Sequence, residues 1–326
     1  TNKMKKLLIM VSALTAAVFS SAKADISVSG SAGVHVTSGG NVLDGIVTSG
    51  DADGSRATSG TLFMQGAGVS FSMSTTTAGG MTVSSSGGIS LDSNDADNTK
   101  GVSGLASVSF AADGFTFTIG DVDLVGDSTG EVGSVASAAV DNGGYSQTGI
   151  VTGVADTEGY GFTASTSVGA ASVSIAYLLD VKNEGVNNAE SASNEYGTGL
   201  SISMPMGPLT LGLGYANIDG TADETTNGVT LAYAVAGGTL TLGYESTDEA
   251  TDSTTMAAAF TGSLDADTSY SLGYTDGEQG TAASTRMEAV VSRSLGGGVS
   301  VYAEIQNNDG TGTPGTNLSF GTTVAF

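Results

Sequence analysis

Apolar side chains return at every second position in short runs along most of the chain. A period of two fixes extended strands, because a helix would repeat its apolar face every three to four residues. The first run sets Ile26, Val28, Val34 and Val36 against Ser27, Ser29, Ser31, His35 and Thr37. Clear later examples are Phe115/Phe117/Ile119, Leu209/Leu211/Leu213/Tyr215, Leu240/Leu242/Tyr244 and Tyr270/Leu272/Tyr274. About sixteen such runs can be marked, each compatible with the ~9 to 11 residues that a tilted membrane strand needs.

The second face separates two kinds of β protein. A soluble sandwich buries its apolar face and turns charged residues to water. Here the polar face is Gly, Ser, Thr and Ala, with rare charges such as Glu245, Glu288 and Glu304. Such a face lines a wide interior with small groups while the apolar face meets lipid. The expected fold is therefore all-β, a transmembrane antiparallel barrel of about 16 strands. Tyr177, Tyr215, Tyr244 and Tyr274 supply an aromatic girdle, and the chain has no Trp.

Charge narrows the function. After position 24 the only basic residues are Arg56, Lys100, Lys182, Arg286 and Arg293, five against 33 acidic ones, a formal charge of −28. Nucleic acid is excluded as a partner, since its phosphates need clustered cations. The absence of Cys removes disulfides, thiolate metal sites and thiol nucleophiles. Hydroxyls are plentiful, yet no nucleophile and base are spaced as an enzyme would need. No cofactor is expected.

Met4-Lys5-Lys6, the apolar run Leu7 to Phe19 and Ala22-Lys23-Ala24 have the order of a secretory signal. Residues 1–24 are read as a removed leader, with Thr1 to Lys3 upstream of it, and 25–326 as one barrel domain. Short connections, such as Ala112 to Gly114 and Gly169-Ala170, alternate with longer ones, such as Ser38 to Ala57, Asp180 to Asn194 and Asp276 to Ser284. Of the 33 acidic residues, 24 fall in the longer set. One barrel end is thus short and bland, the other long and acidic, as periplasmic turns and external loops are.

The longest break in the alternation runs from Gly120 to Thr157 and holds Asp121, Asp123, Asp127, Glu131, Asp141 and Asp156 without one basic residue. A connection this long needs a functional or a disorder explanation. Its apolar residues Leu124, Val125, Val132, Val135 and Val140 point to packing. The reading is an acidic segment folded into the lumen.

The opening ISVSG, the segment FTFTIGDVDLVGDSTGEVG and the last strand NLSFGTTVAF carry a resemblance to a known family. The chain resembles general outer-membrane porins of the alphaproteobacterial type, which are sixteen-stranded trimeric barrels. The resemblance implies passive diffusion of small hydrophilic solutes across a bacterial outer membrane, a homotrimer, contact with outer-membrane lipid and lipopolysaccharide, and an inward-folded third external loop. It makes Asp121, Asp123, Asp127 and Glu131 the acidic constriction, the alternative being solvated external charges. It also places basic residues on the facing wall. Arg56 has the parity of Ser70 and Ser72, Arg286 that of Glu288 and Ser292, and His35 also has lumen parity. Two arginines make a weak basic wall, so cations are the expected preference. Asp121, Asp123 and Asp127 could also offer oxygen ligands to Ca²⁺, though without EF-hand spacing. The terminal Phe326 looks like the assembly signal of outer-membrane barrels. The competing reading is a secreted or surface-anchored β-rich adhesin, for which short repeats of fixed period are expected.

Overall fold

The computed structural model describes residues 24–39, 60–92, 100–103, 107–125, 158–181, 195–220, 223–248, 251–310 and 315–326. The period-two runs become strands: β1 (Ala24–Gly39), β2 (Gly60–Thr76), β3 (Thr82–Asp92), β4 (Lys100–Ser103), β5 (Ser107–Ala112), β6 (Phe115–Asp123), β7 (Glu158–Val168), β8 (Ala171–Val181) and β9 (Tyr196–Met206). They continue as β10 (Leu209–Asp219), β11 (Glu224–Val235), β12 (Gly238–Asp248), β13 (Ser253–Ser263), β14 (Thr268–Gln279), β15 (Ala282–Gly296), β16 (Val299–Gly310) and β17 (Gly315–Ala325).

Neighbouring positions round the sheet pair antiparallel, and β17 returns to β1, with Ser31 opposite Ala325 through to Gly39 opposite Asn317. β4 and β5 both pair with β3, at Gly88–Leu91 and Thr82–Ser85 respectively, so they share one position. Seventeen segments therefore make sixteen positions in a closed barrel. Closure pairs the polar groups of the backbone from strand to strand and leaves no edge, which is what a sheet needs inside a bilayer.

The outer face is apolar and uncovered: Ile26, Val28, Phe115, Ile119, Leu242, Leu272 and Phe320 are all exposed. Rows of aromatics cross it, with Phe117, Phe162 and Tyr177 on successive strands at ring-centroid distances of 5.8 Å. No helix among the described residues is long and apolar enough to cross a membrane; the strands make the crossing.

The short connections fall where the sequence put them. Asp113 and Gly114 have φ of 49° and 77°, two left-handed residues whose turn follows the twist of the hairpin between β5 and β6. In the turn between β13 and β14 the Asp267 amide donates to Asp265 Oδ1 at 2.9 Å. That bond, aided by the Thr268 hydroxyl and the Arg293 guanidinium, holds the Asp265 carboxyl below its ordinary range.

At the other end one expectation is corrected. Asp276 to Ser284 is not a long connection, because β14 runs to Gln279 and β15 begins at Ala282. Once the outer face of a strand leaves lipid, it has no reason to stay apolar. The strand continues while its sequence alternation fades, so polar strand ends read as loops.

Phe326 continues the pairing of β17 with β1. Its amide donates to the Gly30 carbonyl at 2.8 Å, and the Gly30 amide donates to the Phe326 carbonyl at 3.2 Å. The ring lies beside Gly30, where a Cβ would be 3.1 Å from Cδ2, and is 78% exposed on the lipid side. Phe326→Ser keeps the backbone bonds and removes only this ring. It should lower the fraction of folded, heat-modifiable barrel on an unboiled gel; unchanged folding would show that the ring has no part in assembly.

Candidate functional site

The positions that alternate with the lipid-facing residues form the lumen wall. Cross-strand register carries one hydroxyl or glycine to the next: Ser84 faces Ser109, which faces Thr118, which faces Thr163. Neighbouring hydroxyls bond directly, as in Ser109 with Thr118 at 2.8 Å, Thr226 with Thr247 at 2.9 Å and Ser300 with Thr323 at 2.6 Å. Small side chains keep the bore wide, and their mutual bonds satisfy polar groups that would otherwise need water.

Charge on the inward positions is concentrated in β11 to β16. Glu224, Glu245, Glu288 and Glu304 alternate inward, and among the described residues of these strands Arg286 is the basic one on that face. Arg293, further along β15 towards the short end, alternates outward and bonds Asp265 at 3.3 Å and Thr268 at 2.6 Å. Arg286 has the expected lumen parity, but its charge is matched within the wall. Its Nη2 donates to Glu288 Oε2 at 2.5 Å, with the two side chains 18% and 5% exposed. Residues i and i+2 of a strand share a face, which brings this pair together. The Gln306 amide oxygen, in the orientation that satisfies both groups, accepts from the same guanidinium at 2.9 Å from Nη2 and 2.5 Å from Nε. Gln306 stands opposite Glu288 on β16, and Asn317 opposite Gln306 on β17. Arg286 is thus clamped by two neighbours rather than aimed across the pore.

The segment after β6 turns inward. Leu124 and Val125 are 2% and 1% exposed and join Val122, Ala176, Leu178, Ala216 and Ile218 in one apolar cluster inside the barrel. The backbone of Leu124 lies over Gly199 and its side chain over Gly197, both on β9. Leu124 therefore lies against β9, three positions round the sheet from β6.

Asp121 and Asp123 need a correction. β6 does not stop at Ile119; its alternation continues past Gly120 with pairing maintained to Glu158. Val122 and Leu124 then take the inward positions of Thr116 and Thr118, and Asp121 and Asp123 take the outward parity of Phe117 and Ile119. Asp121 faces the exposed Tyr160 in register. The acidic pair sits at the rim, and apolar residues enter the lumen.

Asp127, Glu131 and Arg56 lie outside the described residues. His35 stands on β1 opposite Gly321 and Met64, with its side chain outside the described set. No group of three or more His, Asp or Glu residues that could hold a metal occurs among the described residues, and Asp127 of the Ca²⁺ reading is not among them. Sequence reasoning missed Gln306, whose place depends on cross-strand register, and the Gly197/Gly199 pair. The signal for the latter was two glycines at i and i+2, which flatten one face of a strand.

Known proteins give the same picture. A family model described as Gram-negative porin matches residues 11–313. Among solved structures the chain is similar to a multiply substituted porin from Rh. blastica, at 17% identity and a TM-score of 0.62, over 93% of this chain and 100% of that one. It is similar to OmpT of Vibrio cholerae lacking loop L8, at 14% identity and a TM-score of 0.65, over 93% of this chain and 99% of that one. An anion-selective porin from Comamonas acidovorans shares 12% identity with a TM-score of 0.65, over 93% and 100% of the two chains. No curated protein sequence matches the chain. A closed sixteen-position barrel with a hydroxyl-lined lumen, matched along nearly its whole length by one family model, belongs to the Gram-negative porin family, the passive diffusion channels of the bacterial outer membrane.

Proposed function

We propose that this channel prefers cations among small hydrophilic solutes, works as a homotrimer in contact with outer-membrane lipid and lipopolysaccharide, and is exported through a cleaved leader ending at Ala24. The charge count of the chain carries the preference. With five basic residues after position 24 against 33 acidic ones, full pairing of every cation leaves a large acidic excess. The likeness to an anion-selective porin does not oppose this, because at 12% identity it speaks for the fold alone. Selectivity follows the charges placed on the barrel.

Asp127 and Glu131 follow the inward-turned Leu124 and Val125 in sequence and are the proposed acidic narrowing. A carboxylate about 6 Å from a passing monovalent ion biases its local concentration roughly threefold even at the dielectric of water. Charges on the outer rim are screened beyond ~10 Å at 0.1 M salt. Asp219 and Asp248 end β10 and β12 on the exposed, outward alternation and serve as the rim control. In planar bilayers under a KCl gradient, the wild-type reversal potential should report cation preference. Asp127→Asn with Glu131→Gln should reduce it at ~0.1 M salt and above, whereas Asp219→Asn with Asp248→Asn should matter only at lower salt. A larger effect of the rim pair at the higher salt would show that Asp127 and Glu131 do not narrow the pore. A wild-type potential on the anion side would reverse the proposed selectivity.

A further inference from the structure

Much of the lumen wall is hydroxyl and glycine, and one apolar patch of it is covered by the chain that leaves β6. On β9 the inward residues Gly197 and Gly199 lie between β8 and β10. Gly199 pairs with Ala176 and Ala216, and Gly197 with Leu178 and Ile218. The patch is apolar inside a polar lumen, and Leu124 covers it. A Cβ built on Gly199 would lie 1.9 Å from the Leu124 carbonyl oxygen and 2.7 Å from its carbon. A Cβ on Gly197 would lie 2.9 Å from Leu124 Cδ2. Backbone contact this close is possible only where one partner has no side chain, since overlaps below 3.0 Å with main-chain atoms cannot be relieved by rotating a rotamer. Leu178 and Ala216 are fully covered in the same cluster.

We propose that Gly197 and Gly199 are positioning residues: a glycine shelf on the wall that seats Leu124 and so fixes where the chain leaving β6 enters the lumen. The proposal deepens the pore reading above and rests on it, but it concerns the seat rather than the charges. An apolar side chain in a water-filled bore gains by covering apolar wall, and a shelf three strands away from β6 gives that contact one position. The seat therefore sets a single lumen geometry, and with it a single open conductance.

Three variants test the seat. Gly199→Val puts a branched side chain where the Leu124 carbonyl lies, whereas Gly68→Ala is a control on an inward glycine whose Cβ would meet nothing closer than 3.7 Å. Leu124→Ser removes the seated side chain and leaves the shelf intact. Both Gly199→Val and Leu124→Ser should assemble into heat-modifiable barrels like the control yet lose the single open level, recording as fluctuating sub-levels. Because the chain has no Cys, a Leu124→Cys/Gly197→Cys pair gives one defined cross-link, which should form on oxidation and keep one steady open level. This pair also decides the matter if Gly199→Val fails to assemble. Wild-type recordings from Leu124→Ser, or failure of the cysteine pair to cross-link in the assembled barrel, would overturn the proposal. The selectivity reading is scored separately by reversal potential. A lost open level with cation preference retained supports the seat whatever Asp127 and Glu131 contribute, and a shift on neutralising those two leaves the seat to stand or fall on the cross-link.

Discussion

Glu288→Gln should move the reversal potential toward anions, Arg286→Gln should move it toward cations, and the double variant should return close to wild type. The two side chains form one ion pair on the inner face of β15, so together they present no net charge to an ion in the bore. Removing the carboxylate leaves a guanidinium held by Gln306 alone. At a distance of about 6 Å a unit charge biases a monovalent ion by ~0.7 kcal/mol in water, roughly a threefold change in local concentration for each sign. Cation concentration falls and anion concentration rises by that factor, so the permeability ratio should drop by about tenfold if all ions pass the pair. The shift should shrink in ~1 M salt, where the screening length is ~3 Å.

Stability must be read beside selectivity. Removing one partner of a largely covered pair leaves the other charge unmatched, a loss of about 3–5 kcal/mol in dry surroundings and less where lumen water reaches the group. The assembled fraction of each single variant therefore has to be measured before its current is interpreted. Shifts of the same sign from the two single variants, in fully assembled barrels, would show that the pair lies away from the ion path.

The strand count and the two faces were legible because both rest on local alternation. Ile26 to Val36 and Leu209 to Tyr215 lie in strands with the expected side turned to lipid. The parity of Arg286 was legible for the same reason. Its neutralisation by Glu288 was also within reach, since both residues occupy one face at i and i+2. The contact with Gln306 was not, because the stagger of β16 against β15 is set by closure of the whole ring rather than by either strand. Asp121 and Asp123 were misplaced by a change of chemistry without a change of structure. In IGDVDL the outward series passes from Ile119 to two aspartates as β6 reaches the rim, and the inward series passes from hydroxyls to Val122 and Leu124. Hydrophobicity swaps faces there while the backbone alternation runs on, so in the sequence the end of the apolar pattern reads as the end of the strand.

Gly298→Ala should cost the barrel far more than Gly297→Ala, although the two residues are adjacent in one turn. Gly296, Gly297 and Gly298 have φ of 83°, 61° and 79°, a left-handed run that connects β15 to β16 at the short end. A side chain at either of the last two positions meets the same backbone cost, about 1–2 kcal/mol. Their surroundings differ. A Cβ on Gly297 would have nothing within 4 Å, whereas one on Gly298 would lie 2.2 Å from the Ala325 carbonyl oxygen. Ala325 is the last residue of β17, and its amide donates to the Gly298 carbonyl at 2.9 Å. The overlap is with main chain, so either the turn or the end of the closing strand must move, adding about 1–3 kcal/mol or more of overpacking. Phe326 follows directly and holds the seam to Gly30, so displacement of Ala325 loosens the junction of β17 with both of its neighbours. On unboiled gels Gly297→Ala should keep most of the heat-modifiable band, and Gly298→Ala should lose most of it. Equal losses would mean that backbone conformation alone governs this turn, and that the seating of β17 against it contributes nothing to closing the barrel.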